Sequence, residues 1–350
     1  MIRFSLAVLV MMAFSPSACA DDLLDWLQEV AERQPATALS KESALNARLL
    51  TLESGESEMY PKVSPDGKHL LVVSGKRNKN ALTRRLLENG DPLNVVTDDV
   101  RALHSANWHG PEHVTFLSDR GGDPGVWQVA ADGHGAVRRL YRLTGEFIEP
   151  IVLEEGGLIA VRLLSTSGRR SVKASKLNFS NWNITGNETR LLYISDQGVE
   201  SSLTAGVNPS LSPDGENIVF SMQTGRSWHL FMMNVDGSNL IQLTNSRSTD
   251  VQPTWSPNGK WIAFTSNRGD DGAKSNKENW DVWMIRRDGQ HLTRLTFDSA
   301  RDGAPAIGSN GRVYFHSDRK VDKQSRDVHD VSGSTAGFHI WSVTLPARVE

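Results

Sequence analysis

Four arginines occupy equivalent places in a recurring pattern. Arg77, Arg120, Arg268 and Arg319 each stand two or three residues past a short apolar run that ends in serine. A guanidinium is a planar fork of donors that fits a carboxylate through two parallel hydrogen bonds. Two uses of such a set are open: each arginine pins its own loop by pairing with a neighbouring carboxylate or carbonyl, or the four form a ring of forks for carboxylates on a partner. A second set recurs at the start of a different run: Tyr60, Ser105, Glu149, Asn208, Gln252 and Ala304, five of them followed directly by proline. Mixed, polar and small, these suit hydrogen bonding to an inserted chain, and equally to water.

Patterns for covalent or metal chemistry are missing from the sequence. It holds no Gly-x-Ser-x-Gly elbow, no His-Glu-x-x-His, no cysteine pair and no phosphate-cradling glycine loop. His104 and His316 lie near the arginine positions, but the other histidines scatter without a repeated spacing, and His316 replaces Thr265 and Leu117 in an aligned strand column. The acidic stretches Asp119 to Asp123 and Asp270-Asp271 offer oxygens for Ca²⁺ without the ligand spacing of a dedicated loop. No catalytic residue, metal ligand or cofactor is expected from these residues.

The elements that must position both sets are clearest from Gln252 to Thr296. Pro253 to Trp255 reads as a first strand, and Ser256 to Gly259 as a tight turn in which Asn258-Gly259 takes positive φ. Trp261 to Ser266 is a second strand, Asp281 to Arg286 a third, Asp288-Gly289 another hairpin turn, and Leu292 to Thr296 a fourth. One such antiparallel meander cannot bury both of its apolar faces. Copies of it recur, anchored on Pro61, Ala106, Pro150, Pro209, Pro253 and Pro305 at spacings of about 44 to 59 residues. The expected period for four-stranded propeller blades is roughly 40–50 residues, so six copies predict an all-β, six-bladed β-propeller of four-stranded antiparallel blades.

The phrases SPDG, FTSNRG, FLSDRGGD, VDGSN and RLT resemble the WD40-like repeat of the TolB-type six-bladed propellers, over residues 47–345 and in five of the six copies. The resemblance implies the ring fold and, for function, a binding role beside the Tol–Pal envelope system. The family's namesake carries a separate α/β domain before its propeller, and only residues 21–46 lie between signal and ring here. Other propellers of this shape are peptidase lids or sugar lyases, so fold alone does not decide function.

Residues 1–20 read as a secretory signal: Arg3, an apolar run through Phe14, a break at Pro16, and Ala18-Cys19-Ala20 as a small-x-small cleavage site. Lipid attachment at Cys19 is the competing reading. The apolar run is too short to span about 30 Å of hydrocarbon. Residues 21–46 form a helical segment in which Leu23, Leu24, Leu27, Val30 and Ala31 share one stripe up to Pro35. The ring occupies 47–346 and residues 347–350 are a tail. Residues 47–53 align with fourth strands elsewhere, whereas the last copy stops after its third strand, so 47–53 is expected to supply the outer strand of the last blade and close the ring.

Trp127, Phe231, Trp283 and Trp341 share a third-strand column and Trp108 and Trp255 a first-strand column, where they should fill the space between blades. A formal net charge of −3, with basic residues scattered, does not fit nucleic acid. In an up-and-down blade the Asp-Gly turns share one end, and the loops between second and third strands share the other. The long insertions 166–190, 268–280 and 320–337 all fall at that second end. Loops on a rigid scaffold carry function. The expectation is therefore a periplasmic scaffold with no membrane span after signal removal, binding an envelope protein or peptide on its loop-rich face. Arg77, Arg120, Arg268, Arg319, Tyr60, Glu149, Asn208 and Gln252 would make the contacts. The alternative is a metal-assisted carbohydrate-active enzyme of the oligogalacturonate-lyase kind, which would take a glycan in the channel.

Overall fold

The computed structural model describes residues 37–38, 47–52, 57–76, 79–98, 105–164, 188–269, 279–321 and 337–345. Within them the chain forms six antiparallel sheets arranged as a β-propeller. Blade one runs Ser57–Val63, His69–Lys76, Lys79–Leu86, Pro92–Thr97, and blade two Asn107–His109, His113–Ser118, Gly125–Ala130, Arg138–Arg142. Blade three is Glu146–Val152, Leu158–Leu163, Thr189–Ile194, Glu200–Thr204, and blade four Val207–Leu211, Asn217–Thr224, Ser227–Asn234, Ile241–Gln242. Blade five is Asp250–Trp255, Trp261–Ser266, Asp281–Arg286, Thr293–Arg294, its last strand shorter than the sequence pattern indicates because only two residues pair with the third strand. Thr37–Ala38 adds to its outer edge in parallel. Blade six has Asp302–Ile307, Arg312–Ser317 and His339–Thr344, and its outer strand is Arg48–Leu49, with Leu49 opposite Trp341. The signal segment and the helical stripe up to Pro35 lie outside the described residues.

Alternation of apolar side chains gives each blade two buried faces, and the burial is divided among six apolar clusters, one per seam between blades. Trp283 and Trp341 are almost wholly buried, and Phe231 and Trp255 nearly so, each inside a seam, while Trp108 and Trp127 pack at the margin of another. Replacing any of the buried tryptophans with alanine would cost about 3–5 kcal/mol. The seam between blades six and one has the smallest apolar cluster, built around Leu50, Leu70, Val72, Leu87, Tyr314 and Ile340. A polar network reinforces it. The fully buried Glu58 accepts from the Thr51 hydroxyl at 2.7 Å, pairs with Arg85 at 2.9 Å and lies 3.4 Å from His339 Nδ1.

The Asp-Gly and Asn-Gly turns all place glycine at positive φ, from 66° at Gly259 to 87° at Gly237, as a tight hairpin requires. At Gly90 the requirement is also steric. A Cβ there would sit 2.2 Å from the Leu50 carbonyl oxygen, so the outer turn of blade one and the closing segment touch backbone to backbone.

Candidate functional site

The inner strands carry a recurrent fault that shapes the channel. Tyr60, Glu149, Asn208, Gln252 and Ala304 all adopt φ between 47° and 56°, although none is glycine. Each sits in a bulge where two residues, X-Pro, face one on the second strand; between the pairs Met59↔Val73 and Lys62↔Leu71, for example, Tyr60 and Pro61 oppose Val72. A left-handed non-glycine residue costs on the order of 1–3 kcal/mol unless its surroundings hold it.

A relay around the ring holds these residues. The Glu149 carboxylate accepts from the Asn208 backbone N–H at 2.6 Å and from Asn208 Nδ2 at 2.5 Å. Asn208 Oδ1 accepts from the Gln252 N–H at 3.2 Å, and Gln252 Oε1 from the Ala304 N–H at 2.9 Å. Ala304 has no side-chain acceptor, so His316 Nδ1 takes the Tyr60 N–H at 3.2 Å. Between blades two and three the link is Asn107 Nδ2 to the Pro150 carbonyl, 2.8 Å. The residues of the second set are thus brought together at the waist of the channel, where they enclose a cavity of about 50 Å³ and bond chiefly to one another. Ser105, the blade-two equivalent, is buried, and its Oγ accepts from the Leu117 N–H at 3.4 Å. Burial, with Glu149 nearby, raises the Tyr60 phenol above its ordinary value, and burial with Arg301 lowers His316 to about 3. His316 is therefore a neutral acceptor inside the wall.

Two of the four arginines, Arg268 and Arg319, turn inward. Arg268 is buried and forks onto Asp250 of its own blade, Nε to Oδ1 at 3.0 Å and Nη2 to Oδ2. Burial pushes the Asp250 carboxyl up, but the Arg268 guanidinium beside it brings it below the usual carboxylate range. Arg319 Nη2 lies 2.6 Å from both Asp302 and Asp298. Arg120 bonds Thr97 Oγ1 at 3.3 Å and stacks over Phe116 and Trp127. Arg77 and His104 lie outside the described residues, as do 165–187, 270–278 and 322–336, which cover most of the insertions.

Sequence reasoning missed the carboxylates that receive these arginines. Glu58, Asp250 and Asp302 each stand three residues before an inner-strand proline, a recurrence visible in the sequence. Where blades five and six meet, Asp281, Asp298 and Asp302 share Arg294 and Arg319. Burial, against the pull of Arg294, raises Asp281 to about 8, and burial against Arg319 raises Asp302 to about 6.

A wide cavity opens at the other end, among the tight turns. About 1300 Å³ in volume, this funnel reaches from the turns at Gly67, Gly215 and Pro257 down to Lys62, Asn107 and Thr254 at the waist. Trp108, Trp255, Tyr193 and Leu211 contribute apolar wall. The two tryptophans are fixed by hydrogen bonds across seams, Trp108 Nε1 to the Lys62 carbonyl at 2.9 Å and Trp255 Nε1 to the Ser210 carbonyl at 3.0 Å. Among the described residues no three His, Cys, Asp or Glu side chains come together as a metal-ligand set.

Residues 193–273 match the family model of the TolB beta propeller domain. The six-bladed ring is similar to the TolB-type propellers. An uncharacterized protein of Agrobacterium fabrum is 28% identical over 77% of this chain and 69% of its own length. A TolB homolog of Chlorobium luteolum is 28% identical over 43% of this chain but only 33% of its own length. A solved structure assigned provisionally as TolB from Agrobacterium tumefaciens superposes with a TM-score of 0.50 at 19% identity, covering 83% of this chain and 91% of that one, a likeness of fold.

Proposed function

We propose that the protein is an exported, periplasmic propeller scaffold that binds an envelope protein or peptide by taking a segment of it into the funnel at the turn-bearing end of its channel. The observation that carries this reading is the funnel itself: a preformed concavity of about 1300 Å³ with aromatic walls locked across the blade seams. Ordinary small-molecule clefts are about 300–1,000 Å³, so this one has room for several residues of extended chain. Protein partners are in keeping with the relatives named as TolB homologs and Tol-Pal system proteins. The loop-rich end is less favoured because Arg268 and Arg319 spend their forks on carboxylates of their own ring. The lyase-like reading is not favoured either, since His316 is committed within the wall.

In-cell photocrosslinking tests the proposal. A benzophenone amino acid is placed at Leu211 or Glu216 in the funnel, and at Val95 or Val199 on exposed outer strands. Discrete protein adducts from the funnel positions alone are the expected outcome. Adducts of equal strength from the outer strands, or none from the funnel, would discard the funnel as the site.

A further inference from the structure

One step above the waist, on the funnel side, the second residue after each bulge position faces the channel: Lys62, Asn107, Ile151, Ser210, Thr254 and Ala306. Five of the six are neutral. Lys62 is the one lysine or arginine among the residues that line the funnel, while Glu154, Glu155, Asp214, Glu216 and Asp236 put acid on its upper wall. Lys62 is half-buried in the channel wall, and desolvation there lowers its ammonium below the ordinary lysine value against an opposing pull from Glu149. Among the described residues Lys62 Nζ makes no ion pair or hydrogen bond, and the Ser210 and Thr254 hydroxyls have no hydrogen-bond partner. Every other cation drawn into this ring, from Arg85 to Arg319, is paired. A charge in the channel wall without a direct partner, lining the same funnel as two uncommitted hydroxyls, is a place where an incoming acceptor gains hydrogen bonds.

We infer that the floor of the funnel, built from Lys62, Ser210 and Thr254, is a binding site for the C-terminal carboxylate of an extended peptide segment whose preceding residues carry positive charge. The inference rests on the funnel reading above and gives the bound segment a direction. An anion is selected at the floor because the ammonium can only donate, the hydroxyls can donate beside it, and the Glu149 carboxylate at the waist is already held by Asn208. Basic residues are selected higher up because the wall there is acidic. A chain end, and not an internal acidic side chain, is selected because the channel narrows sharply at the waist, from about 1300 Å³ in the funnel to about 50 Å³. Lys62 thus sits where a carboxylate would arrive last and be most fully desolvated.

The test uses octapeptides with two lysines in the first half and apolar residues in the second, made as free acids and as C-terminal amides. They are titrated against the full chain by quenching of tryptophan fluorescence, with Trp108 and Trp255 as reporters in the wall. The free acid should bind about tenfold or more tightly than the amide, the loss expected on removing a charge-assisted hydrogen bond. Lys62→Met should abolish that preference and Lys62→Arg should keep most of it. An amide ending in aspartate should bind as weakly as the plain amide. Equal binding of acid and amide to the wild-type chain, or a preference that survives Lys62→Met, would overturn the assignment. So would tight binding of the aspartyl amide. If neither form binds while funnel crosslinks persist in cells, the carboxylate site falls and the broader funnel reading stands.

Discussion

Arg268 and Lys62 are both cations drawn into the same ring, near opposite ends of its channel, and their surroundings differ in one respect. Arg268 sits in a stack between Phe264 and Trp283 with Asp250 filling its fork. Lys62 sits in the funnel wall with no hydrogen bond or ion pair to its ammonium among the described residues, and only the longer-range pull of Glu149 opposes its desolvation. A buried charge costs several kcal/mol unless it is paired and hydrogen-bonded. The loop-side end meets that cost within the molecule, so its arginines are part of the architecture. The turn-side end does not, and an unmet cost is what a ligand can relieve. The comparison separates charge that holds the fold together from charge held ready for something else.

The largest expected effect breaks the paired side. Arg268→Ala leaves Asp250 buried without its partner and should destabilise the ring by about 3–5 kcal/mol in denaturant titration. The double change Asp250→Leu with Arg268→Met removes both charges and should recover most of that loss, because apolar replacements of buried pairs are often neutral or better. A single variant within about 0.5 kcal/mol of wild type would mean the pair is no more than a surface contact.

The blade count and the tight turns were legible in the sequence because repetition multiplies a weak local signal. Asp66-Gly67, Asp214-Gly215 and Asn258-Gly259 announce one hairpin three times over, and their glycines adopt the positive φ such a turn needs. The destination of the arginines was not legible in the same way. A guanidinium two residues past a strand looks identical whether its carboxylate comes from the chain or from a partner, and only strand pairing puts Asp250 opposite Ser266, within reach of Arg268. The bulges were hidden for a different reason: proline favours extended backbone before it, so five left-handed residues ahead of proline go against local preference and exist because the relay holds them. Lys62 was passed over because its significance is the absence of a partner. No residue list contains an absence until the neighbours are placed.

A smaller effect, readable from pH, compares two groups of paired carboxylates. Asp250 has one guanidinium to itself and lies below its ordinary value, so its stabilisation holds above about pH 4 and is lost as pH falls through the folded value. Asp281 and Asp302, with Asp298 beside them, share two guanidinium groups and titrate upward to about 8 and about 6. A carboxyl raised in the folded state holds its proton longer there than in the unfolded chain. Stability therefore declines as pH rises from about 4 towards 6 and 8. The melting temperature should peak near pH 4 and fall progressively towards pH 8. Asp302→Asn should flatten the lower part of that slope, and Asp281→Asn the upper part. A flat profile in the wild-type chain from pH 5 to 8 would show these carboxylates ionised throughout and fully served by Arg294 and Arg319.

The smallest effect on stability belongs to Lys62, and its smallness is the point. Burial holds the folded ammonium below its ordinary value, so at neutral pH the charged lysine is worse off in the ring than in the unfolded chain. That cost persists at every pH below the folded value, and it shrinks only as the group loses its proton. Lys62→Met has nearly the same length, keeps the apolar stem against the wall and removes the charge. It should leave stability unchanged or raise it by up to about 1 kcal/mol, in contrast to the loss at Arg268. A stabilising change at a position that also abolishes the acid-over-amide preference would mark the lysine as kept for binding at the expense of the fold. A loss of more than about 1 kcal/mol would instead mean that Lys62 has a structural partner after all, most simply Glu149 across the waist, and the division between the two ends of the channel would then disappear.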